Sequence, residues 1–559
     1  MMSSKRWYYA VWLLLIGAFA VLHALHPRAD FPNHSPWYMD WAKYTDEGWY
    51  GNAAIRAHLF GNWYLPGDFN PATAVPVWPF LEWVLFSFTG VNVEAARGLA
   101  IAFFFASLVL SYLLLRTRGP RWMALLALTL LVTSPFLYCF SRLAILEPML
   151  TTLTLSALNL AVRLPVFRRP LRVSAGIGLL FTLMMLTKTT AVFLLPALGW
   201  AMVLPLWRSR RLALGAPKGG LGPRGRKLIL RCVLAATGAF AVSFGLWMAL
   251  VAQLGLLTDY EYLFFVNKYV MPKEFYWPLI SLWWSLHGGL WVDHILIPLA
   301  GLVVIAAAMA WRSGWGRRLM LDPVFGASVL AVAGCILFMT YQNHPQPRYY
   351  AVVVFFSFFV VAQGAHAMLG EADVAAEFLN GQRGTHRGPP RLLGWAALGL
   401  AALAVGINGA WTLDYATHPE YTFVDAAERM TRYIDEHPNG RRLLVSVSGD
   451  EITLVTHLPA INDLFVPPSP AIPDLAAKLG YYQPGWFATW NVLDPGTLED
   501  LHSHYSVEQV ASFRAFDDPT RNVLVLFKLH PWPRGQVYDP ADGKLGIRFP
   551  EDKFDIPLE

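Results

Sequence analysis

Charge and cysteine are the two things this sequence is short of. Only 15% of its 559 residues are Asp, Glu, Lys or Arg, where a typical soluble domain carries roughly 25%. The three cysteines, Cys139, Cys232 and Cys335, each lie inside an apolar run with no CxxC or Cys/His spacing. That excludes a disulfide-stapled scaffold and a thiolate zinc site, and the three read as buried apolar thiols. The basic run WRSRRLALGAPKGGLGPRGRKLILR lacks GK[ST], so it is no phosphate-binding P-loop. The pI is about 9.1, yet no basic arm or basic-aromatic face concentrates the charge, so nucleic acid is not an expected partner.

What fills the chain instead is apolar. Hydrophobic residues make up 55%, aromatics 14%, and the mean hydropathy is +0.39. About 20 apolar residues cross a bilayer core as a helix, and such runs occur near 7–25, 95–115, 121–140, 147–164, 173–189, 190–206, 228–256, 291–311, 324–341, 348–369 and 392–411. The first follows Lys5 and Arg6, is too long for a signal peptide and lacks a small-residue cleavage site, so it reads as a retained helix. The expected fold is an all-α polytopic membrane protein of about 11 spans, with a small C-terminal α/β domain.

Charge divides the chain near residue 411. Residues 1–411 hold 32 Lys and Arg against 16 Asp and Glu, while residues 412–559 hold 12 against 22. A basic membrane domain, 1–411, is therefore followed by an acidic soluble domain, 412–559. In the tail, FVDAAERMTRYIDEHP and PSPAIPDLAAKLGYY read as helices, RRLLVSVSG and NVLVLFKLH as strands. Tyr481, Tyr482, Trp486 and Trp490 read as core residues, with stacking on sugars as the alternative.

Orientation turns on residues 78–89, WPFLEWVLFSFT, which are apolar but only 12 long. Read as a helix on the membrane surface, they leave Arg116, Arg118, Arg121, Arg163, Arg168, Arg169, Arg172, the bases from Arg208 to Arg231, Arg312, Arg317, Arg318, Arg383, Arg387 and Arg391 in inner loops. The positive-inside rule selects that arrangement, with a cytoplasmic N-terminus and an outer tail.

Acids then collect on the outer side, within and after a first outer loop of residues 26–94. Its centre reads KYTDEGWYGNAAIRAHLFGNWYLPGDFNP, with Asp46 and Glu47 opening a helix that carries Tyr50 and Arg56. Glu147 opens the fourth span five residues after Arg142, Lys188 ends the fifth in LTKTT, and Arg348 precedes the tenth in NHPQPRYY. The simpler readings are a helix cap for Glu47 and Glu147, and interfacial anchoring for Lys188 and Arg348. Ionisable groups at membrane depth more often mark a site. A carboxylate taking a proton from a hydroxyl, with cations steadying a departing phosphate, fits this mixture. No His/Asp/Glu spacing makes a metal site, including around His344, although a divalent ion between Asp46 and Glu147 is left open. The aromatic stretch 257–291, with Tyr260, Tyr262, Tyr269, Tyr276, Trp277, Trp283 and Trp284, reads equally as a cover for a prenyl chain or as an interface belt.

The stretches DEGWYGNAAIRAHLFGNWYLPG, PVWPFLEWVLFSFTGVNVEAARGLAIAF, SRLAILE, LTKTTAVFLLP and PRYYAVVVF resemble the type C glycosyltransferases, nearest to lipid A aminoarabinose transferases and protein O-mannosyltransferases. The resemblance covers roughly residues 7–370 and is strongest over 46–206. It implies transfer of a sugar from a polyprenyl-phosphate carrier to a lipid, glycan or protein hydroxyl on the outer face. It also implies Asp46 as catalytic base and Glu147 as second acid. Where the lipid A-modifying relatives carry Glu-Lys-Pro before the surface helix, this chain reads NPATAVPVWP, so Lys188, Arg56 or Arg348 is expected to take the donor phosphate. Glu47, Tyr50 and Arg142 are the expected acceptor or sugar contacts. A flippase of lipid-linked sugar would need midplane charges and an inverted repeat, and neither is seen. A non-catalytic assembly factor with a recruiting tail is the remaining rival.

Overall fold

The computed structural model describes residues 2–30, 46–65, 67, 71–213, 223–262, 293–342, 347–370, 391–463, 472, 474–491, 493–515 and 522–532. Tyr269, Tyr276, Trp277, Trp283, Trp284 and His344 lie outside them. Eight helices among the described residues are long and apolar enough to cross a membrane. The remaining expected spans coincide with shorter helices, Arg121–Thr133, Leu146–Val162 and Leu296–Met309. The run 121–140 is not one helix. Pro135 lacks the N–H that would continue the ladder, and Ser134 turns outward to accept from the Leu137 N–H at 3.2 Å, starting the separate helix Pro135–Phe140.

Ala351–Leu369 is the centre of the bundle. Its sequence, AVVVFFSFFVVAQGAHAML, is apolar on every side, as a helix surrounded by others requires. Phe355, Phe356, Phe358 and Phe359 are buried within it, and helices Arg121–Thr133, Leu296–Met309, Pro323–Gln342 and Arg391–Thr417 pack around it. The last of these runs past residue 411 to Thr417 before the tail begins at Thr422.

The tail is a five-stranded mixed sheet with β1 Leu444–Ser446, β2 Ala460–Ile461, β3 Trp486–Trp490, β4 Tyr505–Arg514 and β5 Val523–Pro531. The order is β2-β1-β3-β5-β4, parallel on one side of β3 and antiparallel on the other. Strand side chains alternate between faces, and the burial follows that alternation. Phe487, Val525 and Phe527 join Leu475, Leu479 and Leu501 on one face. Trp486, Ala488, Leu524 and Leu526 join Phe423 and Met430 on the other, in a core that continues into Tyr50, Ile55 and Trp78 of the first loop. The tail therefore shares its core with the membrane-proximal loop. Trp486 and Trp490 are core residues as expected, whereas Tyr481 is 58% exposed, because its short helix Leu475–Tyr482 buries Leu475 and Leu479 instead.

Helix Val77–Thr89 forms over the expected surface segment. It exposes Phe80 and Phe88 and buries Trp78, Glu82 and Phe86 against helix Asp46–Leu59. The contact is close enough that a Cβ on Gly51 would overlap the Glu82 carboxyl. Burial pushes Glu82 well above the usual carboxylate range, the nearby Trp78 indole opposing and Glu47 adding to the rise. An acid raised on folding contributes stability that is full below its unfolded value and lost as pH rises through its folded value. As pH rises above the ordinary glutamate range, the wild-type Tm in detergent is expected to fall with pH more steeply than that of Glu82→Gln. Parallel curves would contradict a proton held at this carboxyl.

Candidate active site

Helix ends bring the charges together. Asp46 stands in the first turn of Asp46–Leu59 and Glu147 in the first turn of Leu146–Val162, where the helix dipole favours an anion. Lys188 stands where Pro170–Thr187 stops. Its backbone is extended, and the chain turns there into the 3-10 segment Thr189–Leu194. Arg348 lies in the 3-10 turn Pro347–Tyr350 that opens the central helix. A cation beside the last carbonyls of a helix is favoured for the same reason that an acid is favoured at its start.

These four residues form two buried ion pairs. Arg348 reaches Asp46 Oδ2 at 2.7 Å, and Lys188 contacts Glu147 Oε1. All four are under 10% exposed. Removing an ion from water costs several kcal/mol, so a buried pair persists only with close partners. Tyr349 ties the two pairs together, since Lys188 Nζ lies 4.5 Å and the Arg348 guanidinium carbon 4.9 Å from its ring centroid. Glu147 Oε2 is buried with no hydrogen-bond partner among the described residues. A cavity beside it is lined by Glu147, Lys188, Cys335, Phe338, Tyr349 and Val352. Cys335 is accordingly only partly buried, unlike Cys139 and Cys232.

Tyr50 lies one turn after Asp46 on the same face. Burial raises its phenol well above the ordinary value; Asp46, Tyr349 and Glu147 push further in that direction and Arg348 opposes. The cluster thus holds two carboxylates, two cations and two phenols. Both carboxylates already face cations, and no group of three or more His, Cys, Asp or Glu comes together among the described residues.

Three of the expected contact residues have partners elsewhere in the fold. Glu47 is fully buried and accepts from Arg97 Nε at 2.8 Å, from an Arg97 terminal nitrogen at 2.6 Å and from the Ala144 N–H at 2.7 Å. It holds the loop to the start of helix Val93–Leu115, because a buried acid takes the nearest fork of donors. Arg142 donates to the Leu25 carbonyl at 2.7 Å and also to the His26 carbonyl and the Tyr138 hydroxyl. It fastens the end of the first helix. Arg56 pairs with Asp450 of the tail at 2.8 Å, so its charge is spent between the two parts of the chain.

Residues 71–219 match the family model described as dolichyl-phosphate-mannose-protein mannosyltransferase. No curated protein matches the chain. ArnT from Cupriavidus metallidurans in the apo state superposes with a TM-score of 0.56 at 14% identity, covering 93% of this chain and 98% of that one. The same protein bound to undecaprenyl phosphate gives 0.55 at 14%, covering 92% and 98%. The archaeal oligosaccharyltransferase AglB from Archaeoglobus fulgidus, in complex with an inhibitory peptide and a dolichol-phosphate, gives 0.50 at 13%, covering 96% and 75%. The chain has the fold of these multi-pass membrane proteins, and the resemblance to type C glycosyltransferases read from its motifs stands.

Glu47 and Asp46 are adjacent yet differently employed, and stability measurements separate them. Glu47→Leu strands Arg97 in the interior, and breaking a buried pair costs about 3–5 kcal/mol. Its Tm in detergent is expected to fall sharply. Asp46→Asn keeps a hydrogen-bond acceptor beside Arg348 and is expected to fall far less. Equal losses would refute the division of labour.

Proposed function

We propose that this protein transfers a monosaccharide from a polyprenyl-phosphate carrier to an acceptor hydroxyl at the outer face of a membrane. The observation that carries the reading is the pairing of Asp46 with Arg348 and Glu147 with Lys188 around Tyr349, beside a cavity that opens among the spans. The fold shared with ArnT, which has been seen with undecaprenyl phosphate, and with AglB, seen with a dolichol-phosphate, supports the class of donor.

In this reading the resting ion pairs stand in for the donor. A phosphodiester entering the cluster offers its oxygens to Lys188 and Arg348, which exchange a carboxylate partner for a phosphate one. That exchange releases the Asp46 carboxylate from Arg348. Asp46 then takes the proton of the acceptor hydroxyl, the acceptor oxygen attacks the anomeric carbon, and the carbon–oxygen bond to the phosphate breaks with inversion. The electron pair leaves on the lipid phosphate, whose new charge the two cations meet in a site with little water. Glu147 orients the acceptor or assists Asp46, and Tyr50 borders the acceptor side. The prenyl chain lies in an apolar groove between the spans. The acceptor is a lipid, glycan or protein hydroxyl. Residues 1–411 form the membrane domain, with a cytoplasmic N-terminus, and 412–559 lie on the outer side of the inner or plasma membrane.

The test is transfer of radiolabelled sugar from a panel of polyprenyl-phosphate donors by protein in liposomes. Wild type should transfer from at least one donor, and Asp46→Asn should be slower by about 10²–10⁴-fold, the range for losing a general base. Near-normal turnover by Asp46→Asn would end the assignment. Lys188→Met should raise the KM for donor by about 10–100-fold, as expected for one lost hydrogen bond to a charged group. An unchanged donor KM would remove Lys188 from the phosphate site.

A further inference from the structure

The helix bearing Asp46 is gripped by the C-terminal domain at two points. Gly48, two residues beyond the base, donates its N–H to Glu451 Oε2 at 2.7 Å. Arg56, near the far end of the same helix, pairs with Asp450 Oδ1 at 2.8 Å. Glu451 is completely buried, and Arg56 and Asp450 are 1% and 3% exposed. The packing is backbone on backbone, since a Cβ on Gly48 would overlap the main chain of Asp450 and Glu451. Gly48 is therefore the residue that lets the tail helix Gly449–Thr456 lie directly on the base's own first turn. Elsewhere Asp30 accepts from the Phe423 and Val424 N–H groups at 2.7 and 3.2 Å, and Arg28 bridges Glu94 and Glu428.

From this we infer that Asp450 and Glu451 are positioning residues for Asp46, and that the C-terminal domain completes the active site by fixing the helix that carries the base. The inference rests on the proposed reaction for what Asp46 does, and on geometry alone for what holds it. An acid in the first turn of a 14-residue helix has few intrahelical hydrogen bonds to define its angle. A hydrogen bond at its third residue and a buried ion pair ten residues after the base define that angle from outside. A displacement of about 1 Å in a catalytic group costs on the order of 10²-fold in rate, so such a clamp acts on turnover.

The experiment uses the full chain in detergent or liposomes. Four variants are compared with wild type: Arg56→Asp, Asp450→Arg, the two combined as a charge swap, and Gly48→Ala, which leaves every charge in place and lifts the tail helix away. Two quantities are read: kcat and donor KM for sugar transfer, and the hydrogen–deuterium exchange of amides in residues 46–59. Each single charge variant and Gly48→Ala should lower kcat by about 10–100-fold with donor KM little changed, and should speed exchange across 46–59. The charge swap should restore both to within a few-fold of wild type. Unchanged exchange and kcat in the single variants, or a swap that restores neither, would overturn the inference. If wild type transfers from no donor, the proposed reaction fails, while exchange in the singles and the swap still decides whether the tail holds this helix. A single variant that fails to fold is read through the swap, whose recovery supports the clamp and whose failure rejects it.

Discussion

The arrangement of this end of the molecule follows from one constraint, the cost of an ion out of water. Asp46, Glu147, Lys188 and Arg348 are all buried, and each is tolerable only because a partner of opposite sign is in contact. Two acids at helix starts and two bases at a helix end and a helix entry give that pairing with little rearrangement of the backbone. The same constraint makes the pairs exchangeable. Any incoming anion that satisfies Lys188 and Arg348 relieves the cations of their carboxylates, so that in the proposed reaction binding of the donor and release of the base are one event.

The second buried charge group works the other way, as a fixture. Arg97 is held by Glu47 and lies 3.8 Å from Asp30, and it also donates to the Pro27 and Ala29 carbonyls at 3.2 and 2.8 Å. Its donors are committed to the loop itself, so no exchange with a ligand is on offer. Neighbouring residues in the sequence, Asp46 and Glu47, thus point into two clusters of opposite character. One has a cavity beside it. The other is filled by backbone carbonyls and the tail.

Much of this was legible in the residues. The apolar runs marked the helices because a membrane span is set by length and hydropathy alone, and the charge split marked the tail. Pro135 was readable as an interruption, yet the run 121–140 looked continuous because apolar composition carries no period when every face is buried. Asp46, Glu147, Lys188 and Arg348 stood out as rare charges at span ends. Which of them pairs with which did not, since a pairing across 302 residues leaves no local pattern. Nearness in sequence groups Glu47, Arg56 and Arg142 with them, and only the fold shows that these three are paired with Arg97, Asp450 and backbone carbonyls. Tyr349 escaped notice beside Arg348 in PRYY because an aromatic at a span entry is ordinary. Strands β2, β3 and β4 escaped because short buried strands and polar edge strands show little alternation.

The missing lysine before the surface helix has a physical counterpart. Where the lipid A-modifying relatives carry Glu-Lys-Pro, this chain forms the 3-10 turn Pro71–Thr73. The Thr73 carbonyl accepts from the Trp247 indole at 2.9 Å, and Ala74 packs with Val251 and Tyr260. The segment is a seat for the helix Pro223–Gln253, and a lysine there would have to leave that packing to reach a ligand. Of the three bases able to replace it, Arg56 is committed to the tail, whereas Lys188 and Arg348 face one another across Tyr349. In the proposed reaction the cations that meet the phosphate therefore stand at span ends and not in the loop. A loop lysine can follow its ligand, but Lys188 is fixed by the helix it ends and Arg348 by the turn that opens the central helix. The proposed base stands on the element facing them, Asp46–Leu59, and that is the helix the tail holds in place.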